Sequence, residues 1–186
     1  EGDLKKMIEK KGEVGMMSFP VWYVALEAPN YPKAAFPEGI PVWFHVDGFS
    51  GDIHEMNTIN HYVGMYPLED GAKIERALGP FLMLGISLLM ILFICIRKKW
   101  SWIFMLPSAL FPLGFFAFYS GWMYWFGHNM QEWGAFKAFM PTALGVGHVA
   151  HFTTKSFPSI GFWVLVIIAV LSVLALLARR NELKKQ

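Results

Sequence analysis

Imidazole and thioether side chains recur at short spacings in two stretches of this chain. The first is DIHEMNTINHYVGM at 52–65. A helix is expected over 53–65, because Asp52 stands at the N-cap position with Glu55 three residues on, and Gly64 with Pro67 can end it. At about 100° per residue, Ile53, Met56, Ile59, Asn60 and Val63 fall on one side and His54, Thr58, His61 and Met65 on the other. His61 and Met65, four apart, would then chelate one ion, and a thioether beside an imidazole selects copper(I) over zinc. The competing reading of the same face is a solvated or interface-facing polar helix side. The second stretch, 122–158, is too long and too aromatic for an ordinary loop. It carries His128 and Met130, then His148 and His151, which share a face if that part is helical.

Other chemistries find little support. The chain has no G-x-S-x-G, no H-E-x-x-H and no phosphate-binding glycine loop, so no catalytic residue is assigned. Asp47, Asp52 and Glu55 are carboxylates in reach of base chemistry, but helix capping explains Asp52 and Glu55 more simply. Haem fits poorly, since there is no C-x-x-C-H sequence and the first and third apolar runs hold no histidine. Cys95 is the single cysteine, which excludes a disulfide within one chain and any multi-cysteine metal site. A net charge of +2 with scattered basic residues leaves no footprint for nucleic acid.

The elements that must position these residues divide the chain in two. With 55% hydrophobic residues and a mean hydropathy of +0.39, the sequence carries more apolar surface than a soluble domain of 186 residues, and the apolar runs all follow residue 77. Uncharged runs at about 78–96, 100–121 and 159–178 predict three transmembrane helices solvated by membrane lipid, the second kinked by Pro107 and Pro112. Arg97, Lys98 and Lys99 fill the turn between the first two, and Arg179, Arg180, Lys184 and Lys185 follow the third. The positive-inside rule puts both groups in the cytoplasm, with residues 1–76 and 122–158 in the periplasm of a bacterial inner membrane. All six histidines, His45 among them, then lie outside. A chain that starts at Glu1 and exports its N-terminus is expected to be processed or incomplete there.

The fold class expected is therefore membrane α-helical, three transmembrane helices bearing a small α+β periplasmic domain. In residues 1–76, a charged helix is expected at 3–11, and strands at 20–28 and 41–47, where β-branched and aromatic residues alternate between Pro and Gly. Two strands alone are marginal, so they should pack on the helix, the membrane domain or a partner. Trp100, Trp102, Tyr119, Trp122, Tyr124, Trp125 and Trp163 fall near span ends, where amphipathic rings anchor a helix at the headgroups.

Four segments, LEAPNYP at 26–32, EMNTINHYVGM at 55–65, FGHNM at 126–130 and HFTTKSFPSIG at 151–161, resemble a family of small bacterial membrane proteins associated with nitrous-oxide reductase and other copper or cytochrome c systems. The resemblance implies a periplasmic, copper-linked role and carries over to His61, Met65 and His128 as ligands. Met56, Met130, His148 and His151 are less tied to the pattern, and His54 joins the candidates through its helix face. Two functions stay open. One is a membrane-anchored protein that handles or delivers copper through His and Met ligands. The other is a non-catalytic accessory subunit docked to other membrane subunits of a copper-dependent or respiratory complex. A copper enzyme is a third reading with no substrate signature.

Overall fold

The computed structural model describes residues 18–29, 31, 33–134 and 136–183; the charged helix expected at 3–11 lies outside them. Strands β1 (Trp22–Glu27), β2 (Ile40–Phe44) and β3 (Phe49–Gly51) are followed by helix α1 (Ile53–Val63), a 3-10 turn at Leu68–Asp70 and helix α2 (Lys73–Cys95). A second 3-10 turn (Ser101–Met105) leads into α3 (Leu106–His128); β4 (Gly145–Val149), β5 (Phe152–Pro158) and α4 (Ile160–Leu183) complete the chain.

Three of the helices are long and apolar enough to cross a membrane, over Lys73–Cys95, Ser101–His128 and Ile160–Glu182. Their outward faces carry exposed Phe81, Leu84, Ile91, Leu113, Val170 and Leu174, surfaces that lipid solvates. The second runs beyond the expected 121 to His128, since nothing between Trp122 and Phe126 interrupts the helical ladder. Pro107 falls in its first turn, where a missing N–H breaks no bond, which leaves Pro112 as its interior proline. α3 and α4 are tied by the buried Ser108–Ser172 hydroxyl pair at 2.8 Å.

The extended segments form one antiparallel sheet of five strands, in the order β3-β2-β1-β5-β4. Two strands were expected, at 20–28 and 41–47; β1 and β2 fall there, and the outer segment 122–158 supplies β4 and β5. The expected helical pairing of His148 and His151 is corrected accordingly, for His148 lies in β4 and His151 in the β4–β5 turn after Ala150, whose φ is +52°. Strands win here because Phe152, Thr154, Ser156 and Pro158 alternate with Thr153, Lys155 and Phe157, a period of two. β1, which would otherwise be an exposed edge, pairs with β5 from Trp22↔Pro158 to Glu27↔Thr153.

One face of the sheet is apolar. Trp22, Val24 and Leu26 stand beside Phe44, Val42 and Ile40 in register, and all of these but Trp22 pack with Phe49 onto Met56 of α1 and Leu68. Where the sheet meets α3, Trp22 closes over Tyr119, Met123 and Phe126. The buried hydroxyl of Ser156 is the hub there: it accepts from Trp22 Nε1 at 2.8 Å and from the Tyr119 hydroxyl at 3.2 Å, and donates to the Ala143 carbonyl at 2.9 Å. All three hydrogen-bonding capacities of one serine are thus used. On the opposite face Tyr23 contacts Trp43, ring centroids 5.4 Å apart.

The sheet sits at the end of the bundle where α2 begins, α3 ends and α4 begins. Gly161 N–H donates to the Pro20 carbonyl at 2.8 Å and Ser159 N–H to that of Val21 at 3.0 Å. At the other end, the Arg179 guanidinium donates to the Phe93 and Ile96 carbonyls, both at 3.1 Å, and to Ser101 Oγ at 3.3 Å. It also lies over the Phe93 ring. Those carbonyls belong to the frayed end of α2, where a cation satisfies orphan acceptors and the negative end of the helix dipole. Arg97, Lys98 and Lys99, which follow α2, therefore share this end with Arg179.

Candidate functional site

α1 begins after Asp52, whose carbonyl accepts the Met56 N–H at 3.1 Å. The helix expected over 53–65 stops at Val63 instead, because Gly64 adopts the left-handed conformation at φ +99°. Gly64 N–H donates to the His61 carbonyl at 3.1 Å and Met65 N–H to that of Asn60 at 2.7 Å. This is the Schellman pattern, which reverses the chain after the last turn. Asn57 then holds the exit: its Oδ1 accepts the Leu68 N–H at 2.9 Å and its Nδ2 donates to Glu69 at 2.6 Å. As a result Met65 leaves the helical face that His61 occupies. The i, i+4 spacing expected of His61 and Met65 is therefore not carried on one helix; His61 is exposed with its ring 5.8 Å from that of Trp133, while half-buried Met65 lines the apolar cavity.

The same turn docks on the chain leaving α3. Gln131 N–H donates to the Gly64 carbonyl at 2.7 Å. Gly64 and Gly134 cross so closely that a Cβ on Gly64 would stand 2.5 Å from the Gly134 Cα. The Tyr66 and Trp125 rings meet at 5.8 Å, and Met65 and Phe126 line one cavity. Two His/Met-bearing segments, 60–65 and 126–130, are thus neighbours although more than sixty residues apart. Gly127 continues the fit, since its N-terminal neighbour Phe126 packs inward and the Gly127 carbonyl accepts the Phe139 N–H at 2.9 Å.

The remaining imidazoles are distributed as follows. His128, exposed at the end of α3, stacks on Tyr124 at 3.9 Å and donates from Nδ1 to the Tyr124 carbonyl at 2.8 Å. That bond fixes the tautomer and leaves the Nε2 lone pair pointing outward, the form in which imidazole binds a metal. Met130 is half-buried just beyond. His54 is exposed near the start of α1. His148 shares a hydrogen bond with Thr153 Oγ1 at 3.0 Å; strand alternation places it on the sheet face away from Met65. His151 is exposed in the hairpin turn. His45 has both ring nitrogens engaged, Nδ1 donating to the Ser18 carbonyl at 2.8 Å and Nε2 accepting from Ser50 Oγ at 2.9 Å. Among the described residues, no group of three or more His, Cys, Asp or Glu side chains converges.

Behind the turn lies a partly open cavity of about 90 Å³, lined by the apolar sheet face, α1, the end of α3 and the 136–142 segment. Met56, Met65 and Met123 line it, together with Asn60. Met123 is not among the candidate ligands, although it opens the outer segment 122–158, because no spacing ties it to another donor; only the fold brings it to α1. Electrostatics near the cavity are quiet. On the far sheet face Lys155 Nζ pairs with Glu27 at 2.8 Å; the hydrogen bond from Lys155 holds the Glu27 carboxyl below the usual carboxylate range, and Glu27 raises Lys155 in turn.

Comparisons with known protein families, with curated proteins and with solved structures return no match. The fold itself defines the class: three helices long and apolar enough to cross a membrane, with a five-stranded antiparallel sheet and a short helix at one end.

Proposed function

We propose that this chain is a membrane-anchored copper-handling or assembly protein, with its sheet-bearing end in the periplasm and its basic end in the cytoplasm of a bacterial inner membrane. The observation that carries the reading is the crossing at Gly64 and Gly134, which joins the His/Met segment after α1 to the one at the end of α3. Imidazole and thioether donors suit copper(I). His128, its Nδ1–H held by the Tyr124 carbonyl, is the residue best prepared to bind a metal from outside, with His61 exposed on the neighbouring turn. Met130, His54, His148 and His151 are further donors at this end. The gathering of Arg97, Lys98, Lys99 and Arg179 at the opposite end supports the orientation.

The test is the metal content of the intact protein, purified in mild detergent from its native membrane. About one copper per chain, reduced by His61→Ala combined with His128→Ala in a well-folded sample, is expected; a wild-type protein without copper overturns the reading.

A second reading, a non-catalytic accessory subunit of a larger copper-dependent or respiratory membrane complex, has its own support. Tyr62 and Trp133 are 70% and 63% exposed beside the crossing, and an open apolar groove of about 610 Å³ runs between α3 and α4. Aromatic side chains exposed in this way are what interface cores use. Stoichiometric partner subunits without metal would favour it; a stable monodisperse monomer would count against it.

A further inference from the structure

We propose that the cavity behind the α1 turn is a copper(I) site formed by the thioethers of Met56, Met65 and Met123, with the Asn60 amide beside them. The proposal deepens the copper-handling reading and rests on it for the choice of metal in the cell, but its ligands are different residues from the exposed imidazoles.

Four observations carry it. The thioethers come from three separate places, the start of α1, the chain just past its end, and α3, yet all line one partly open pocket. Asn60 is only 6% exposed and lines the same space, so an amide stands beside the thioethers.

Size narrows the occupant. About 90 Å³ is room for roughly three waters and falls short of the ~150 Å³ that takes up benzene. A quinone ring or a lipid headgroup does not fit without opening the core, whereas a single ion does.

Charge narrows it again. The lining has no carboxylate, thiolate or imidazole, only thioethers, one amide, threonines and hydrocarbon. A divalent ion would bring two uncompensated charges into an apolar wall, and zinc would lack the nitrogen, thiolate or carboxylate ligands it prefers. A soft monovalent ion loses least and is the one that thioethers select. The route is short, because the Schellman turn places exposed His61 and cavity-lining Met65 four residues apart on opposite sides of one loop. The metal enters and leaves as copper(I), so no electron transfer is involved.

The deciding experiment titrates the full chain in detergent, carrying 13C-methyl methionine, with copper(I) under anaerobic conditions and with silver(I) as a redox-inert substitute. Saturable shifts of the Met56, Met65 and Met123 methyl resonances at one equivalent are expected, with a sulfur shell in the copper X-ray absorption spectrum. Shifts confined to other methionines, or a shell of nitrogen and oxygen alone, overturn the proposal and leave the cavity as a hydrated void. In parallel, competition against a bathocuproine chelator should show at least a 100-fold loss of copper(I) affinity in the Met56→Leu, Met65→Leu, Met123→Leu triple variant, a larger loss than in the double variant His61→Ala, His128→Ala. Unchanged affinity in a folded triple variant sinks this site while the copper-handling function stands on the imidazoles; no copper(I) binding by the wild type sinks both. The methyl spectra are taken on the wild-type chain, so they decide the matter even if the triple variant fails to fold.

Discussion

Replacing Gly64 by alanine should cost more than its backbone conformation alone explains, because two separate penalties meet at that residue. Its φ of +99° lies in the left-handed region, which costs an L-residue roughly 1–2 kcal/mol. An added Cβ would also stand 2.5 Å from Gly134 Cα and 3.3 Å from the Gln131 carbonyl oxygen. These are backbone atoms that cannot rotate aside, and overpacking of this kind costs about 1–3 kcal/mol. The expected total is about 2–5 kcal/mol. Two companion variants separate the parts. Gly145→Ala has a similar φ of +91° with nothing within 4 Å of the new Cβ, so only the conformational part applies. Gly134→Ala meets the Val63 carbonyl oxygen at 2.6 Å and Gly64 Cα at 2.7 Å, so the steric part dominates. Thermal unfolding of the three variants in one detergent, followed by tryptophan signal at one scan rate, should rank Gly64→Ala as the largest loss. With about 2–4 °C per kcal/mol for a chain of this size, the steric part alone should make Gly64→Ala melt roughly 2–12 °C below Gly145→Ala. Equal shifts for those two variants would refute the close crossing of the two His/Met segments.

Ser156→Ala should destabilise by about 2–4 kcal/mol, since it leaves the Trp22 N–H, the Tyr119 hydroxyl and the Ala143 carbonyl without their shared partner; a loss under about 0.5 kcal/mol in denaturant titration would mean that water replaces the hydroxyl. The Glu27–Lys155 pair should show in the pH dependence of melting. Glu27 is lowered on folding, so its contribution is present above its unfolded value and is lost as pH falls through the lowered folded value. Lys155 is raised, so its contribution is lost as pH rises through the raised folded value. The melting difference between wild type and Glu27→Gln should therefore be level around neutrality and shrink at both extremes, and a difference independent of pH would remove the pair from the account.

Local pattern carried much of the architecture. A bilayer demands about twenty uncharged residues in a row, and nothing tertiary overrides that demand, so the three long helices are legible at 78–96, 100–121 and 159–178 and extend only at their ends. α1 is readable for a similar reason: its apolar side, Ile53, Met56, Ile59, Asn60 and Val63, follows the helical period and includes the three residues of the helix that are buried. β1 and β2 have aromatic and β-branched residues between Pro and Gly. β4 does not, because Gly-Val-Gly-His-Val offers little apolar alternation, and β5 hides its period behind threonine, serine and lysine.

What local pattern cannot hold is pairing across the chain. The bond from Trp22 to Ser156 joins residues 134 apart, and no period of two or 3.6 records which distant strand completes a sheet edge. The same limit applies to the site. Helical spacing put His61 and Met65 on one face, but one glycine in the left-handed region, held by its crossing with Gly134, sends the imidazole outward and the thioether inward. Residue types determined that soft donors gather at one end of a membrane protein; the close approach of two backbones, possible only where both lack a Cβ, decided which of them face solvent and which share a cavity with Met123.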